Sequence, residues 1–353
     1  MSDDDLRHGG ALRAMRDRFP EVSAPWIDLS TGINPFAYAY AQVPPNRLTH
    51  LPDRDLAISC RQAMASAFGA PEQSLLLAPG SELLIRLLPT ILAPRTVAIL
   101  ENTYGDHGEV WLSAGCDVIH TPDPLAHAGD VDAVVLCNPN NPDGRRFSSD
   151  ELLGAQSRLA CRGGWLIIDE AYADLKPSLS LASYAGADGL LILRSFGKFF
   201  GLAGLRLGAL LAPASVLAAM EQRLGAWPVS GPALGIGAQA YADTAWQRRT
   251  RERLTEVRAR LGTHLIDAGL ASSEGTDLFA FVQTADATAL WKHLGRRGIY
   301  VRRFSWSSHA LRIGLPPSPN AEARLAAALR EARDSGIITK SVQIAAGEPS
   351  QPN

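Results

Sequence analysis

The chain has 353 residues, 34 basic and 36 acidic side chains, and a net charge of −2 at pH 7. At 46% apolar and 20% charged it has an ordinary globular composition. Its length lets it bury about three quarters of its unfolded surface without disulfide or metal staples. The charge balance speaks against a nucleic-acid partner, which favours a net basic surface. Thirty of the basic residues are arginine and four are lysine: Lys176, Lys198, Lys292 and Lys340.

The N-terminus, MSDDDLRHGG, is acidic and polar, so no secretory signal is expected. The apolar-rich window 83–93 is broken by Arg86 and Pro89 and is too short for a bilayer, so no membrane partner is expected. Cys60, Cys116, Cys137 and Cys161 form no CxxC pair. That pattern fits buried thiols in a reducing cytoplasm better than a metal or disulfide framework.

Short apolar runs at 74–78, 96–100, 117–121, 133–137, 165–168, 190–193 and 207–211 read as strands covered on both faces. Helices are expected between several of them, at 82–92, 105–114 and 150–161. Ser148, three residues before Glu151, has capping-box spacing. This alternation predicts an α/β domain, a mostly parallel sheet with helices on both faces. From 214 a helix to about 224 leads to a break at Trp227-Pro228 and Ser230-Gly231-Pro232, followed by one long Arg-rich helix over 234–268. Strands at 279–283, 300–303 and 309–314, with helices at 287–297 and 320–333, suggest a smaller α+β domain. The expected division is a large domain over 46–232, a small one from 1–45 and 233–336, and a frayed tail over 337–353.

In an open parallel sheet, ligands bind beyond the carboxyl ends of the strands. Four polar segments follow such ends or precede a helix: Pro79-Gly80-Ser81, NPNNPDG at 138–144, DEAY at 169–172, and SFGK at 195–198 with GLRLG at 204–208. Each alone reads as a turn or a helix cap. Together they describe a ligand. Gly80 and Ser81 offer N–H groups at a helix start, and Ser195 and Arg206 add a hydroxyl and a guanidinium, a set suited to a phosphate monoester. Asp169 wants a cationic hydrogen-bond partner, and Asn141 and Tyr172 can donate to a phenolate-like oxygen. Lys198, with Arg206 near it in sequence, supplies an amine for an aldehyde. Phosphate, protonated ring nitrogen, ring hydroxyl and aldehyde together specify pyridoxal 5′-phosphate.

The four motifs, in this order and spacing, resemble the fold-type I pyridoxal-phosphate enzymes of the aminotransferase class I/II group, over roughly residues 8–333. The resemblance implies that Lys198 captures the cofactor aldehyde, Asp169 meets the ring nitrogen, and Asn141 and Tyr172 meet the ring oxygen. Gly80, Ser81, Ser195 and Arg206 would hold the phosphate, Tyr104 would stack on the ring, and Arg312 would pair with the substrate α-carboxylate. It also implies a homodimer with active sites at the interface.

Within the group, HGG at 8–10 and DLSTGINP at 28–35, which contains Asn34, resemble the threonine-phosphate decarboxylases of cobalamin biosynthesis. WPVSGP at 227–232, GIYVRRF at 298–304 and LRIGLP at 311–316 extend the likeness. It implies decarboxylation of O-phospho-L-threonine, with His8, Asn34 and Arg302 or Arg303 near the substrate. The alternative is an aminotransferase of the histidinol-phosphate type. Two positions depart from the pattern: Pro79 replaces a glycine of the phosphate turn, and His50 replaces a tyrosine before Pro52-Asp53. No dinucleotide GxGxxG, Walker A or HExxH sequence is present, and residues 1–45 are too short and proline-broken for a DNA-binding helix-turn-helix.

Overall fold

The computed structural model describes residues 8–271 and 275–339. It falls into two units. The larger comprises Ile33–Thr255 with Gly275–Leu278, and the smaller comprises the described residues within Met1–Gly32, Glu256–Glu274 and Phe279–Asn353.

The larger unit is organised by its apolar runs. They form one seven-stranded sheet in the order Leu75–Ala78, Gly208–Leu211, Leu190–Ser195, Trp165–Asp169, Ala133–Cys137, Thr96–Leu100, Asp117–Thr121. Only Gly208–Leu211 runs antiparallel to its neighbours. Val134, Val135, Leu136, Ile168, Leu191 and Ile192 are fully buried in the central strands. That burial explains why these strands read as unbroken apolar runs rather than alternating ones. Each such side chain stabilises the fold by about 1.5–3 kcal/mol relative to exposure. The helix Ser149–Ala160 opens with the expected capping box, Ser148 and Glu151 each bonding the other's main chain.

The single helix expected over 234–268 is two helices, Gly231–Ala242 and Thr244–Asp267. Asp243 breaks it: its carboxylate accepts from Trp246 N at 2.9 Å and so starts the second helix. The larger unit also takes in more chain than 46–232. Tyr38 packs edge-on against Trp246 at 5.0 Å, Arg253 lies 3.5 Å over the Phe36 ring, and Gly231–Ala242 packs on the helix Arg54–Phe68.

In the smaller unit, Ile27–Leu29 runs parallel to Ile299–Phe304, which pairs antiparallel with Ser307–Gly314, itself antiparallel to Phe279–Gln283. The helix Ala287–Gly295 covers this sheet, with Trp291 Nε1 donating to Val301 O. Pro319–Asp334 packs on that helix, where His293 Nε2 meets Ala328 O at 2.9 Å. Ile337 and Ile338 still bond to Ala332 O, and Ile338 is buried. The remainder of the expected tail, from Lys340, lies outside the described residues. Among the described residues no helix is long and apolar enough to cross a membrane.

Candidate active site

Beyond the carboxyl ends of the parallel strands, the larger unit holds a cavity of about 190 Å³. Ser81, Tyr104, Asn141 and Asp169 line it, together with Tyr172, Ser195, Lys198 and Arg206. Segments up to 125 residues apart in sequence thus converge on one edge of one sheet.

Lys198 sits half-buried in the turn after Leu190–Ser195. Its neighbours explain how the turn is held. Phe196, Phe199 and Phe200 are fully buried. Phe196 stacks on Phe200 at 4.5 Å and Phe200 on Trp246 at 5.5 Å. The Lys198 carbonyl accepts from Asn34 N at 2.9 Å, and the Asn34 amide donates to Phe199 O at 2.8 Å. Asn34 is 2% exposed and its side-chain oxygen accepts from Phe36 N. Its polar atoms therefore serve the main chain around the lysine.

The anion cradle lies at the start of the helix Ser81–Leu92. Gly80 occupies the N-cap with φ +87, and no side chain caps the first N–H groups. They are available to an anion. A Cβ on Gly80 would lie 2.8 Å from Arg206 Nη2, so only glycine lets the guanidinium approach this turn. Arg206 itself has φ +52, which turns its side chain back beneath the loop, and its Nη1 donates to Ala203 O.

The motifs divide their labour by alternation along the strand ends. Asp169 faces the cavity, whereas Glu170 is buried among Arg194 Nη1 at 2.9 Å, Ser180 and the N–H of Leu181. Ser195 lines the cavity, whereas Arg194 is buried with Glu170 and Asp174 and lies 4.0 Å over the Phe68 ring. In NPNNPDG, Asn138 exchanges bonds with Phe147 and Asn140 bonds Asp143, Thr103 and Asn102. Asn141 is the asparagine left to the cavity.

His107 is a functional residue that no motif marks. It is 1% exposed on the first turn of Gly105–Ser113, and its Nε2 lies 3.2 Å from Asp169 Oδ2. Asp169 Oδ1 accepts from Ala171 N at 3.0 Å. Cys137 is the ladder neighbour of Asp169, and the donor atoms of His107, Cys137 and Asp169 lie within 4.8 Å of one another. Burial alone lowers the proton affinity of His107. Hydrogen bonds and charge from Asp169 and Cys137 outweigh it, and the imidazole is pushed up to about 10. His107 and the Ala171 N–H thus take one Asp169 oxygen each, at 3.2 and 3.0 Å.

The smaller unit assembles the other motif residues. Gly10 N donates to Ser30 Oγ at 2.8 Å, and Ser30 Oγ donates to Asp28 Oδ1. A Cβ on Gly9 would lie 2.5 Å from Ser30 O, which accounts for glycine beside His8. Tyr300 Oη donates to His8 O at 3.4 Å. Arg312, 6% exposed, donates to Ser30 O at 2.7 Å. Arg302 is the cross-strand partner of Arg312 and so shares its face of the sheet. Arg303 points the other way, 5.2 Å over the Trp291 ring.

The cavity's donor set fits pyridoxal phosphate: a cradle that a Cβ would fill at Gly80, a buried acceptor at Asp169, donors at Asn141 and Tyr172, and an amine at Lys198. Fold and site together define a fold-type I pyridoxal-phosphate enzyme. The sequence family described as aminotransferase class I and II matches residues 25–329, and the chain belongs to it. The threonine-phosphate decarboxylase of Pseudomonas aeruginosa is 40% identical over 326 residues, covering 92% of this chain and 97% of that protein. The threonine-phosphate decarboxylase of a Sinorhizobium species is 41% identical over 325 residues, covering 91% and 97%. Among solved structures, the histidinol-phosphate aminotransferase from Sinorhizobium meliloti in complex with pyridoxal-5′-phosphate shares the fold. Its TM-score is 0.78 at 22% identity, over 92% of this chain and 94% of that one.

Proposed function

We propose that this chain is a pyridoxal-phosphate-dependent decarboxylase that converts O-phospho-L-threonine to (R)-1-aminopropan-2-ol O-phosphate and CO2 in cobalamin biosynthesis. The observation that carries the reading is the 40% identity to a threonine-phosphate decarboxylase across nearly the full length of both chains. When bound, the cofactor supplies an electron sink for the bond that breaks at Cα.

The chain's own residues do the rest. Gly80, Ser81, Ser195 and Arg206 hold the cofactor phosphate. Asp169, held by His107 and the Ala171 N–H, takes the hydrogen bond of the ring nitrogen. Asn141 and Tyr172 donate to the ring oxygen. Lys198 would hold the cofactor through its aldehyde, and its side-chain amine, once free, would supply the proton that replaces CO2 at Cα. Arg312 would pair with the substrate carboxylate, while His8 and Arg302 would serve the phosphorylated side chain; Asn34, expected at the substrate, instead spends its side chain on Phe199 O and Phe36 N and acts through the main chain of the lysine turn. The orientation that Arg312 imposes on the substrate carboxylate would separate decarboxylation from transamination.

We also propose that the protein works in the cytoplasm as a homodimer. Tyr40, Leu48, Leu51 and Trp227, all on the larger unit, are 48–72% exposed, a set of large apolar side chains suited to a second copy.

The test is direct. Purified holoprotein is expected to be yellow, borohydride to fix the label on Lys198, and O-phospho-L-threonine to release CO2 without a keto-acid acceptor. Turnover seen only with 2-oxoglutarate would assign the chain to the aminotransferases instead.

A further inference from the structure

One cluster at the cavity is left over by the reaction: Glu82, Arg86 and Asp106. Glu82 lines the cavity without belonging to any cofactor motif. As an acidic residue in the first turn of Ser81–Leu92 it has an ordinary role, to complement the positive end of the helix. Its contacts point elsewhere. Oε2 lies 3.1 Å from Tyr104 Oη, and Oε1 lies 2.7 Å from Arg86 Nη2. Asp106 is also a first-turn acid, of the helix Gly105–Ser113, and Tyr104 is that helix's N-cap residue. Asp106 Oδ2 lies 3.1 Å from the same phenol oxygen and 3.4 Å from the same Arg86 Nη2. Acids from two helix starts therefore meet on one hydroxyl.

A phenol has one proton and can donate to one carboxylate at a time. The second carboxylate is tolerated because Arg86 spans both and offsets their repulsion. Asp106 is 4% exposed, whereas the Arg86 side chain is 57% exposed, so the carboxylate end of the pairing is sheltered and the guanidinium end meets water. The ring of Tyr104 is thereby tied at both ends, by its Cβ on the helix start and by its hydroxyl on the carboxylates. Burial and the charges of Glu82 and Asp106 hold the phenol well above its ordinary proton affinity. It does not ionise near neutral pH, and what it presents to the cavity is a fixed ring.

We propose that Glu82, with Asp106 and Arg86, is a positioning group that fixes the long axis of the Tyr104 ring in the cavity, where the cofactor would stack against it. The inference rests on the pyridoxal-phosphate reading above. It predicts that Glu82 acts only through the Tyr104 hydroxyl.

Two measurements test it. Glu82→Ala is expected to weaken pyridoxal-phosphate affinity about three- to tenfold, the cost of ordering one loosened side chain on binding. Glu82→Gln is expected to stay within about twofold of wild type, because its amide oxygen still accepts the phenol proton. In a Tyr104→Phe background, Glu82→Ala is expected to add nothing. The second measurement needs no cofactor. In 3-fluorotyrosine-labelled apoprotein, Tyr104→Phe assigns one of the seven tyrosine ¹⁹F resonances. Glu82→Ala is expected to shift and broaden that line, and Glu82→Gln to leave it sharp. A loss of affinity that persists in the Tyr104→Phe background would overturn the proposal, since Glu82 would then touch the ligand itself. An unmoved resonance would overturn it as well. Failure of the wild-type protein to take up pyridoxal phosphate would sink the functional reading separately, because the resonance reports the anchoring without it.

Discussion

Replacing His107 by asparagine tests the electrostatic core of the site. The substitution withdraws the imidazole that lies 3.2 Å from Asp169 Oδ2 and leaves the buried carboxylate with the Ala171 N–H at 3.0 Å. Breaking a buried charged pair from one side costs about 3–5 kcal/mol. The pH dependence gives a sharper signature. His107 titrates at its ordinary 6.5 when unfolded and at about 10 when folded, so the native state binds the extra proton between those values. Its stabilisation is complete below about pH 6.5 and is lost as pH rises through about 10. Urea denaturation of the apoproteins across that interval is the assay. The gap between wild type and His107→Asn should shrink by a few kcal/mol from the acid to the alkaline end. A gap that stays constant with pH would refute the charged imidazole.

Three further outcomes are expected. Lys198→Ala should abolish borohydride-fixed labelling and lower kcat by at least about 10³-fold, measured as CO2 release; residual labelling would place the reactive amine elsewhere. Arg194→Met should destabilise the protein by about 3–5 kcal/mol in denaturant titration, because Glu170 and Asp174 would be left as buried uncompensated carboxylates. Arg302→Ala should raise the melting temperature of the ligand-free protein slightly, since like charges directly opposite across strands destabilise by about 0.2–1 kcal/mol. The same variant should raise KM for the phosphorylated substrate more than it lowers kcat; an unchanged KM would remove Arg302 from the substrate's surroundings.

Most of the sheet was legible because its strands are short, doubly buried and bounded by turn residues, a pattern local sequence displays directly; Asp117–Thr121, expected to be covered on both faces, is instead a largely exposed edge strand. Cofactor motifs were legible for a related reason: each is a contiguous segment at a strand end. Long-range pairing was not. His107 stands 62 residues from Asp169, on a helix where a lone histidine carries no spacing signal, and only the packing of that helix brings them together. The break at Asp243 hides because helix-compatible sequence continues on both sides of it, apolar over Gly231–Ala242 and Arg-rich over Thr244–Asp267. Likewise the helix Arg54–Phe68 does not stand out among apolar runs, since its buried residues are few: Cys60, Met64 and Ala65. In the structure Asp53 caps its start and Gly69, in the left-handed conformation, closes it.

The pinned turn around Lys198 carries a consequence for timing. Three buried phenylalanines and the Asn34 N–H immobilise its main chain, so the amine travels by rotation of its own four methylenes alone. Side-chain rotations of that kind run on the picosecond-to-nanosecond scale, far faster than loop or domain rearrangements. Moving the freed amine is therefore not the slow event within this unit; any slowness at Lys198 would lie in bond exchange, not in its travel. A solvent-viscosity series that slows kcat would report product departure, and a proton-inventory experiment would report the chemistry itself.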